Sequence, residues 1–136
     1  MTAIGEDDAD ANERRINLLR QRRYEAAHGD AEGFARRHEK GRLTARERIR
    51  RLVDRNSFQE LDAFATHRAR SFGMEARRVP GDGVITGSAR IGGRDVMLFS
   101  HDATVFGGSL GEVFAEKVCK VMDLAYRNRM PLIGIN

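Results

Sequence analysis

Two short stretches of the chain, residues 84–91 and 96–100, are rich in β-branched, aromatic and other apolar residues. Gly92 and Gly93 lie between them. A glycine pair accepts the positive φ angles that a tight hairpin turn requires, so the pattern predicts two antiparallel strands joined by a short turn.

Beyond residue 106 the apolar positions change to a helical period. Apolar residues recur there at three- and four-residue steps: Leu110, Val113, Phe114, Val118, Val121, Met122 and Ala125. Ser109 and Glu112 form an S-x-x-E pattern, which predicts a capping box at the start of a helix, and Pro131 predicts its end. The apolar run of residues 132–135 has no alternation, as expected of a buried parallel strand. Together these segments predict a right-handed crossover of strand, helix and strand.

The preceding segment, residues 13–55, is basic and predicts three helical pieces. The first begins at Asn12 as N-cap, places Ile16, Leu19 and Ala27 on one face, and ends near Gly29. The second contains Phe34 and ends by Gly41. The third begins at Thr44, whose S/T-x-x-E partner is Glu47, and buries Ile49, Leu52 and Val53.

The N-terminal charge, the hydropathy and the cysteine count argue against several classes of protein. Residues 1–12 carry four acidic side chains and no basic one, which argues against a secretory or transit peptide and predicts a disordered leader. No apolar run approaches the length of a membrane span, so a cytoplasmic protein is expected. The single cysteine, Cys119, supports neither a disulfide framework nor a zinc cluster, and we expect a half-buried thiol with no metal site.

Six segments, in order and at consistent spacing, carry a resemblance to a known family. They are KGRLTARERI at 40–49, SFQEL at 57–61, GDGVITG at 81–87, TVFGGSLGE at 104–112, VMDLA at 121–125 and PLIGIN at 131–136. Together they closely resemble the carboxyltransferase (β) subunits of biotin-dependent acyl-CoA carboxylases, of the propionyl-CoA and acetyl-CoA type. The resemblance extends from about Glu13 to the last residue, so it is far more specific than any single glycine motif.

The resemblance implies an α/β fold that is α+β at its N-terminus. It divides the chain into an acidic leader at 1–12, a basic helical arm at 13–56, and from 57–136 the start of a crotonase-like ββα-repeat domain that is truncated. The family's reaction transfers a carboxyl group from carboxybiotin to a short acyl-CoA. Because the family's glycine-rich oxyanion-hole segment follows a residue like Asn136, the resemblance implies that this chain alone is inactive and carries no catalytic residue. At two positions the chain departs from the family pattern, with His101 in place of Gln and Ala103 in place of Phe.

Six residues are candidates for contact with CoA. Guanidinium groups bind phosphate oxygens in pairs, so Arg42, Arg46 and Arg48 could meet the nucleotide end of CoA. The alternative is a solvated helix face or a set of salt-bridge partners. The glycine-rich turn with Gly107, Gly108 and Ser109 could let its backbone approach the ligand, or could serve tight packing alone.

The partners implied are the remainder of a carboxyltransferase subunit, or homologous subunits in the family's hexamer, and the biotin carboxylase and biotin carrier subunits. No cofactor is expected on this chain, since acyl-CoA and carboxybiotin are the substrates. A non-catalytic interaction protein that pairs with full-length subunits is the alternative. The net charge of +4 also suggests nucleic-acid binding as a rival hypothesis. Against it, acidic residues are interleaved with the basic ones and the sequence contains no recognition motif.

Overall fold

The computed structural model describes residues 6–136, with side chains from Asp8 onward, as three helices followed by a four-stranded sheet with one crossover helix. The helices are α1 (Glu6–His28), α2 (Ala31–Glu39), α3 (Ala45–Leu52) and α4 (Glu112–Asn128). The strands are β1 (Gln59–Leu61), β2 (Val84–Ile91), β3 (Arg94–His101) and β4 (Leu132–Ile135). Two single-turn 3₁₀ segments, Met74–Ala76 and Phe106–Gly108, lie in the connections.

The sheet has the strand order β1-β2-β3-β4. The first two pairings are antiparallel and the β3–β4 pairing is parallel, so the predicted hairpin and crossover are both confirmed. Gly92 and Gly93 have φ angles of 58° and 77° in the turn. The carboxylate of Asp54 accepts their two N–H groups at 2.9 and 2.7 Å, which fixes the turn to the end of α3. At Gly87 a Cβ would lie 2.2 Å from the Gln59 oxygen, so only glycine allows β1 to approach β2 here.

The core forms on both faces of the sheet, because neighbouring residues of β3 point to opposite sides. On one face α3 buries Ala45 and Ile49 against Ile85 and Leu98. On the other face α4 buries Val121 against Met97. The result is a three-layer arrangement of helix, sheet and helix.

The N-terminal helix differs from the prediction. Helix α1 begins at Glu6, not after Asn12, so residues 6–12 are helical where a disordered leader was expected; residues 1–5 of that leader lie outside the described part. Asp8 lies in the first turn of this helix, where the helix dipole stabilises a carboxylate. Ile16 and Leu19, which were predicted to share a face of this helix, are 41% and 43% exposed.

Three further expectations need correction. Ser109 does not cap α4: the N-cap is Gly111, and the Ser109 hydroxyl donates to the Phe106 oxygen. Leu52, Leu110 and Met122 are exposed, although each was placed on a buried face. The Cys119 thiol is exposed as well, because it lies on the side of α4 that faces away from the sheet. The Thr44–Glu47 capping box, by contrast, is confirmed in full.

No helix of residues 6–136 is both long and apolar enough to cross a membrane. Among the side chains described, those of residues 8–136, no group of three or more His, Cys, Asp or Glu residues could hold a metal ion. The boundaries at 12/13 and 56/57 stay predictions.

Candidate functional site

The carboxyl ends of the parallel strands β3 and β4 lie side by side at one edge of the sheet. Ligand sites of open α/β sheets collect at such an edge, where the chain leaves the strands. Here β3 ends at His101 and leads through Asp102 into the turn Phe106–Gly108, while β4 ends beside Asn136. This edge is therefore the candidate site.

The turn at Phe106–Gly108 is built from backbone angles that glycine accepts easily. Gly107 and Gly108 have φ angles of 64° and 85°, and Phe106 also has a positive φ of 47°. A Cβ on Gly107 would meet no heavy atom within 4 Å, whereas one on Gly108 would lie 3.5 Å from the His101 ring and 3.6 Å from Ala103 Cβ. One side of the turn is therefore open, and the other rests on the two residues at which the chain departs from the family pattern.

The end of β3 is held by polar contacts. Asp102 Oδ1 accepts the Thr104 N–H at 3.0 Å and its hydroxyl at 2.6 Å, which closes the first bend after the strand. The His101 ring packs edge-on against Phe114 with centroids 5.1 Å apart, and its Nε2 is buried without a hydrogen-bond partner. These contacts hold both side chains in place at the end of β3.

Arg48 joins the two strand ends. Its guanidinium donates to the backbone oxygen of Asn136 at 2.8 Å and also to the backbone oxygen of His101. Burial lowers the pKa of Arg48 from its ordinary value, and the nearby charge of Arg37 lowers it further. The side chain therefore connects α3 to both strand ends.

Arg46 makes an ion pair within the protein. Its guanidinium donates to both carboxylate oxygens of Glu60, at 2.7 and 3.0 Å, and to the Ala26 oxygen at 2.9 Å. Both charged side chains are 19% exposed. A bidentate pair of this geometry ties α3 to β1 and to the last turn of α1.

Arg42 is the exposed member of the three candidate arginines. Within residues 8–136 its side chain has no recorded hydrogen bond or ion pair. The structure therefore brings Arg48 to the candidate edge, holds Arg46 in a salt bridge and leaves Arg42 free in solvent. Contact of Arg42, Arg46, Arg48, Gly107, Gly108 or Ser109 with CoA stays a prediction.

Two buried charged residues behind the turn were not predicted. Asp82 Oδ2 accepts the Phe114 N–H at 3.0 Å, so the cap of α4 comes from a distant residue. Lys117 is 3% exposed and donates to the backbone oxygens of Gly81, at 2.8 Å, and Val84. Burial lowers the pKa of Lys117 to about 8. The sequence did hold a signal for Lys117, because it lies four residues from both Val113 and Val121 on the inward face.

A cleft of about 470 Å³ opens beside the turn. Its walls come from the connection before β2 and from the start of α4, with apolar surface from Met74, Phe106 and Leu110. At its rim Arg68 pairs with Glu116 at 2.7 Å. The cleft offers an apolar wall next to an open glycine turn.

Comparison with known proteins identifies relatives over most of the chain. The carboxyl transferase domain family matches residues 36–136. The carboxyltransferase subunit of a propionyl-CoA carboxylase from Haloferax mediterranei is 56% identical over 91% of this chain and 24% of its own length. The propionyl-CoA carboxylase beta chain of Saccharopolyspora erythraea is 56% identical over 87% of this chain and 22% of its own. The chain thus spans about a quarter of the length of the curated relatives it matches.

A solved structure agrees with this comparison. Transcarboxylase 12S, described as a hexamer with methylmalonyl-coenzyme A and methylmalonic acid bound, superposes with a TM-score of 0.81 at 40% identity. The match covers 90% of this chain and 25% of that one. The predicted crotonase-like fold is confirmed for the part of the domain that is present.

Proposed function

Because this chain belongs to the carboxyl transferase domain family, we propose that it forms the N-terminal part of an acyl-CoA carboxylase carboxyltransferase subunit. The whole subunit would transfer a carboxyl group from carboxybiotin to a short acyl-CoA, with propionyl-CoA and acetyl-CoA as the expected acceptors. The observation that carries the proposal is the 56% identity to a propionyl-CoA carboxylase subunit over 91% of the chain.

The geometry supports a binding role for the candidate edge. Transfer of a carboxyl group to the α-carbon of an acyl-CoA passes through an enolate, and backbone N–H groups in a turn, like the one that follows β3, can stabilise such an oxyanion. The turn Phe106–Gly108 presents open backbone, and the adjacent cleft offers apolar surface to the body of an acyl-CoA. Arg48 would hold the ends of both strands at the spacing that such a site requires.

The chain would supply one wall of this site and not the whole of it. The relatives continue for about three times its length, so the second substrate, carboxybiotin carried by a partner domain, would approach residues beyond this chain. Homologous subunits and a biotin carrier are the proposed partners. We expect no transfer activity from the chain alone.

The test is reconstitution of activity from two fragments. This chain is mixed with the part of the Haloferax mediterranei relative that follows its matched region, and carboxylation of propionyl-CoA and acetyl-CoA is measured with a carboxylated biotin carrier. Activity only in the mixture is expected. Each fragment alone provides the control. A folded complex without activity would overturn the catalytic proposal and favour an interaction protein.

Two arginine variants in that mixture separate ligand contact from structure. Arg42→Ala is expected to raise KM for the acyl-CoA about tenfold at unchanged kcat, because loss of a charge-assisted contact to phosphate weakens ground state and transition state alike. Arg46→Ala is expected instead to lower the free energy of unfolding, because it leaves the Glu60 carboxylate without its partner. An unchanged KM for Arg42→Ala would remove this residue from the proposed site.

A further inference from the structure

Helix α4 carries a second apolar stripe on the side opposite the sheet. Its members lie four, three and four residues apart: Ala115, Cys119, Met122 and Tyr126. All four are exposed, with Met122 at 47% and Tyr126 at 87%. We call these four residues the outer stripe. The inward face of the same helix, with Val113, Lys117 and Val121, is buried and fully used by the core.

The spacing of the outer stripe is that of a seam between two helices. Residues at alternating steps of three and four stay on one side of a helix over several turns, and such a seam packs against a second helix. The stripe is about 16 Å long at 1.5 Å per residue. Apolar side chains in such a seam, exposed on the side away from the core, are more stable in contact with a partner helix than in contact with water.

The charges at the two ends of α4 select the direction of that partner. Glu112 lies in the first turn, where its carboxylate also pairs with Arg68 at 3.4 Å, and Arg127 lies in the last turn; both are exposed. A parallel copy of α4 would bring like charges together at both ends, whereas an antiparallel copy would place Glu112 beside Arg127 at each end. Antiparallel helix dipoles also attract one another.

The sizes of the side chains favour the same arrangement. Reversal of the seam about its centre places the smallest member, Ala115, opposite the largest, Tyr126. It places Cys119 opposite Met122. Each pair joins a smaller side chain to a larger one, which favours close packing between two such seams.

We propose that the outer stripe of α4 packs antiparallel against the outer stripe of a second copy of this chain. This contact needs no ligand and does not depend on the proposed carboxyltransferase function. Asp123 of the second copy comes near Glu116, but Arg68 already holds the Glu116 carboxylate at 2.7 and 2.8 Å and offsets its charge.

The expected dimer is weak. Specific stable interfaces bury roughly 1,200–2,000 Å² in total, and four side chains from each copy cover less than that. Disulfide trapping is therefore the suitable measurement, because it captures a minor population and reports direction.

In a Cys119→Ser background, one chain carries Ala115→Cys and the other Tyr126→Cys. An antiparallel seam brings the two new thiols face to face, so oxidation of the mixture is expected to give the mixed dimer. The yield of this mixed dimer is expected to exceed by about tenfold the yield of dimer from a control chain with Arg94→Cys, an exposed position in the β2–β3 hairpin. The chain with Ala115→Cys alone is expected not to cross-link, since its two thiols would be about 16 Å apart along the axis and disulfides need Cβ atoms within about 4.5 Å.

A second variant tests the apolar contact itself. Met122→Glu places a charge in the seam without touching the core, so it is expected to lower the yield of mixed dimer about tenfold while the free energy of unfolding at low protein concentration is unchanged. Two results would overturn the proposal: self-cross-linking of the Ala115→Cys chain, which indicates a parallel contact, and a mixed dimer no more abundant than the Arg94→Cys control. The second result would leave the stripe to a different helix, such as one from a longer protein that contains this chain.

Discussion

At the scale of single residues, Lys117 is a charged side chain in a buried position. It lies in the middle of α4, 3% exposed, with its ammonium group on the backbone oxygens of Gly81 and Val84. These two bonds tie the entrance of β2 to the helix. The ammonium supplies a donor to the Val84 oxygen and a second donor to the Gly81 oxygen, which also accepts the Val84 N–H at 3.2 Å.

The pH dependence of stability should report this burial. The pKa of Lys117 falls from 10.5 to about 8 on folding because burial disfavours the charged form. Between these values the unfolded chain binds more protons than the folded one, so the contribution of Lys117 makes the free energy of unfolding rise with pH from about 8 to 10.5.

Denaturant unfolding of the wild type and of Lys117→Met between pH 7 and 10 measures this contribution as the difference between the two curves. The difference should change with pH, in favour of the wild type at higher pH. Lys120→Met is the matched control, because Lys120 is exposed on the same helix and pairs with Asp62. Parallel curves for the wild type and Lys117→Met would show that Lys117 titrates normally.

At the scale of elements, the same sequence pattern begins one helix and fails to begin another. Thr44 and Glu47 form both bonds of a capping box at α3, and the His38 ring and the Thr44 N–H lower the pKa of Glu47 to about 2. Ser109 and Glu112 have the same spacing, but α4 begins two residues later than that pattern requires. The difference arises because Asp82 reaches the Phe114 N–H from another part of the chain and takes the role of the cap.

Two alanine substitutions distinguish these helix starts. Thr44→Ala should lower the free energy of unfolding by about 1 kcal/mol, the usual cost of a lost N-cap. Ser109→Ala should change it by less than about 0.5 kcal/mol, since the exposed hydroxyl bonds only to the Phe106 oxygen. Chemical denaturation of both variants is the measurement. A loss at Ser109 as large as that at Thr44 would contradict the assigned start of α4.

At the scale of the whole molecule, the sheet is protected unevenly. Strands β2 and β3 each pair on both sides, whereas β4 pairs only with β3. The residues of β4 are at most half-buried, so the prediction of a buried strand at 132–135 is wrong for the chain alone. An edge strand with an unpaired side opens more easily than a central strand. The relatives, four times as long, have additional chain with which such an edge can be covered.

Hydrogen exchange should show this difference directly. In the chain alone, the amides of β4, such as Ile133, should exchange faster than that of Leu98 in β3, which is 0% exposed. Addition of the complementary fragment from the relative should slow exchange at Ile133, because binding to the folded form adds protection. Equal protection of Ile133 and Leu98 in the chain alone would contradict an open edge.

The sequence by itself determined the local features of this protein. The glycine pair at 92–93, the capping box at Thr44, the apolar period of α4 and the apolar run of β4 each depend on residues close together in the chain, and each was predictable. The family resemblance rested on the same short segments and is confirmed by the comparisons.

Only the tertiary structure decided which polar groups meet across the chain. Arg48, a candidate for ligand contact, donates to the ends of two strands at residues 53 and 88 positions away. Asp82 accepts the N–H of Phe114, 32 residues further on, and so caps α4. The outer stripe of α4 can be identified only because the opposite face of the helix packs on the sheet. Hydrophobic periodicity specifies which face of an element is buried, but the partner of a buried charge depends on where distant segments arrive, and no short-range pattern records that.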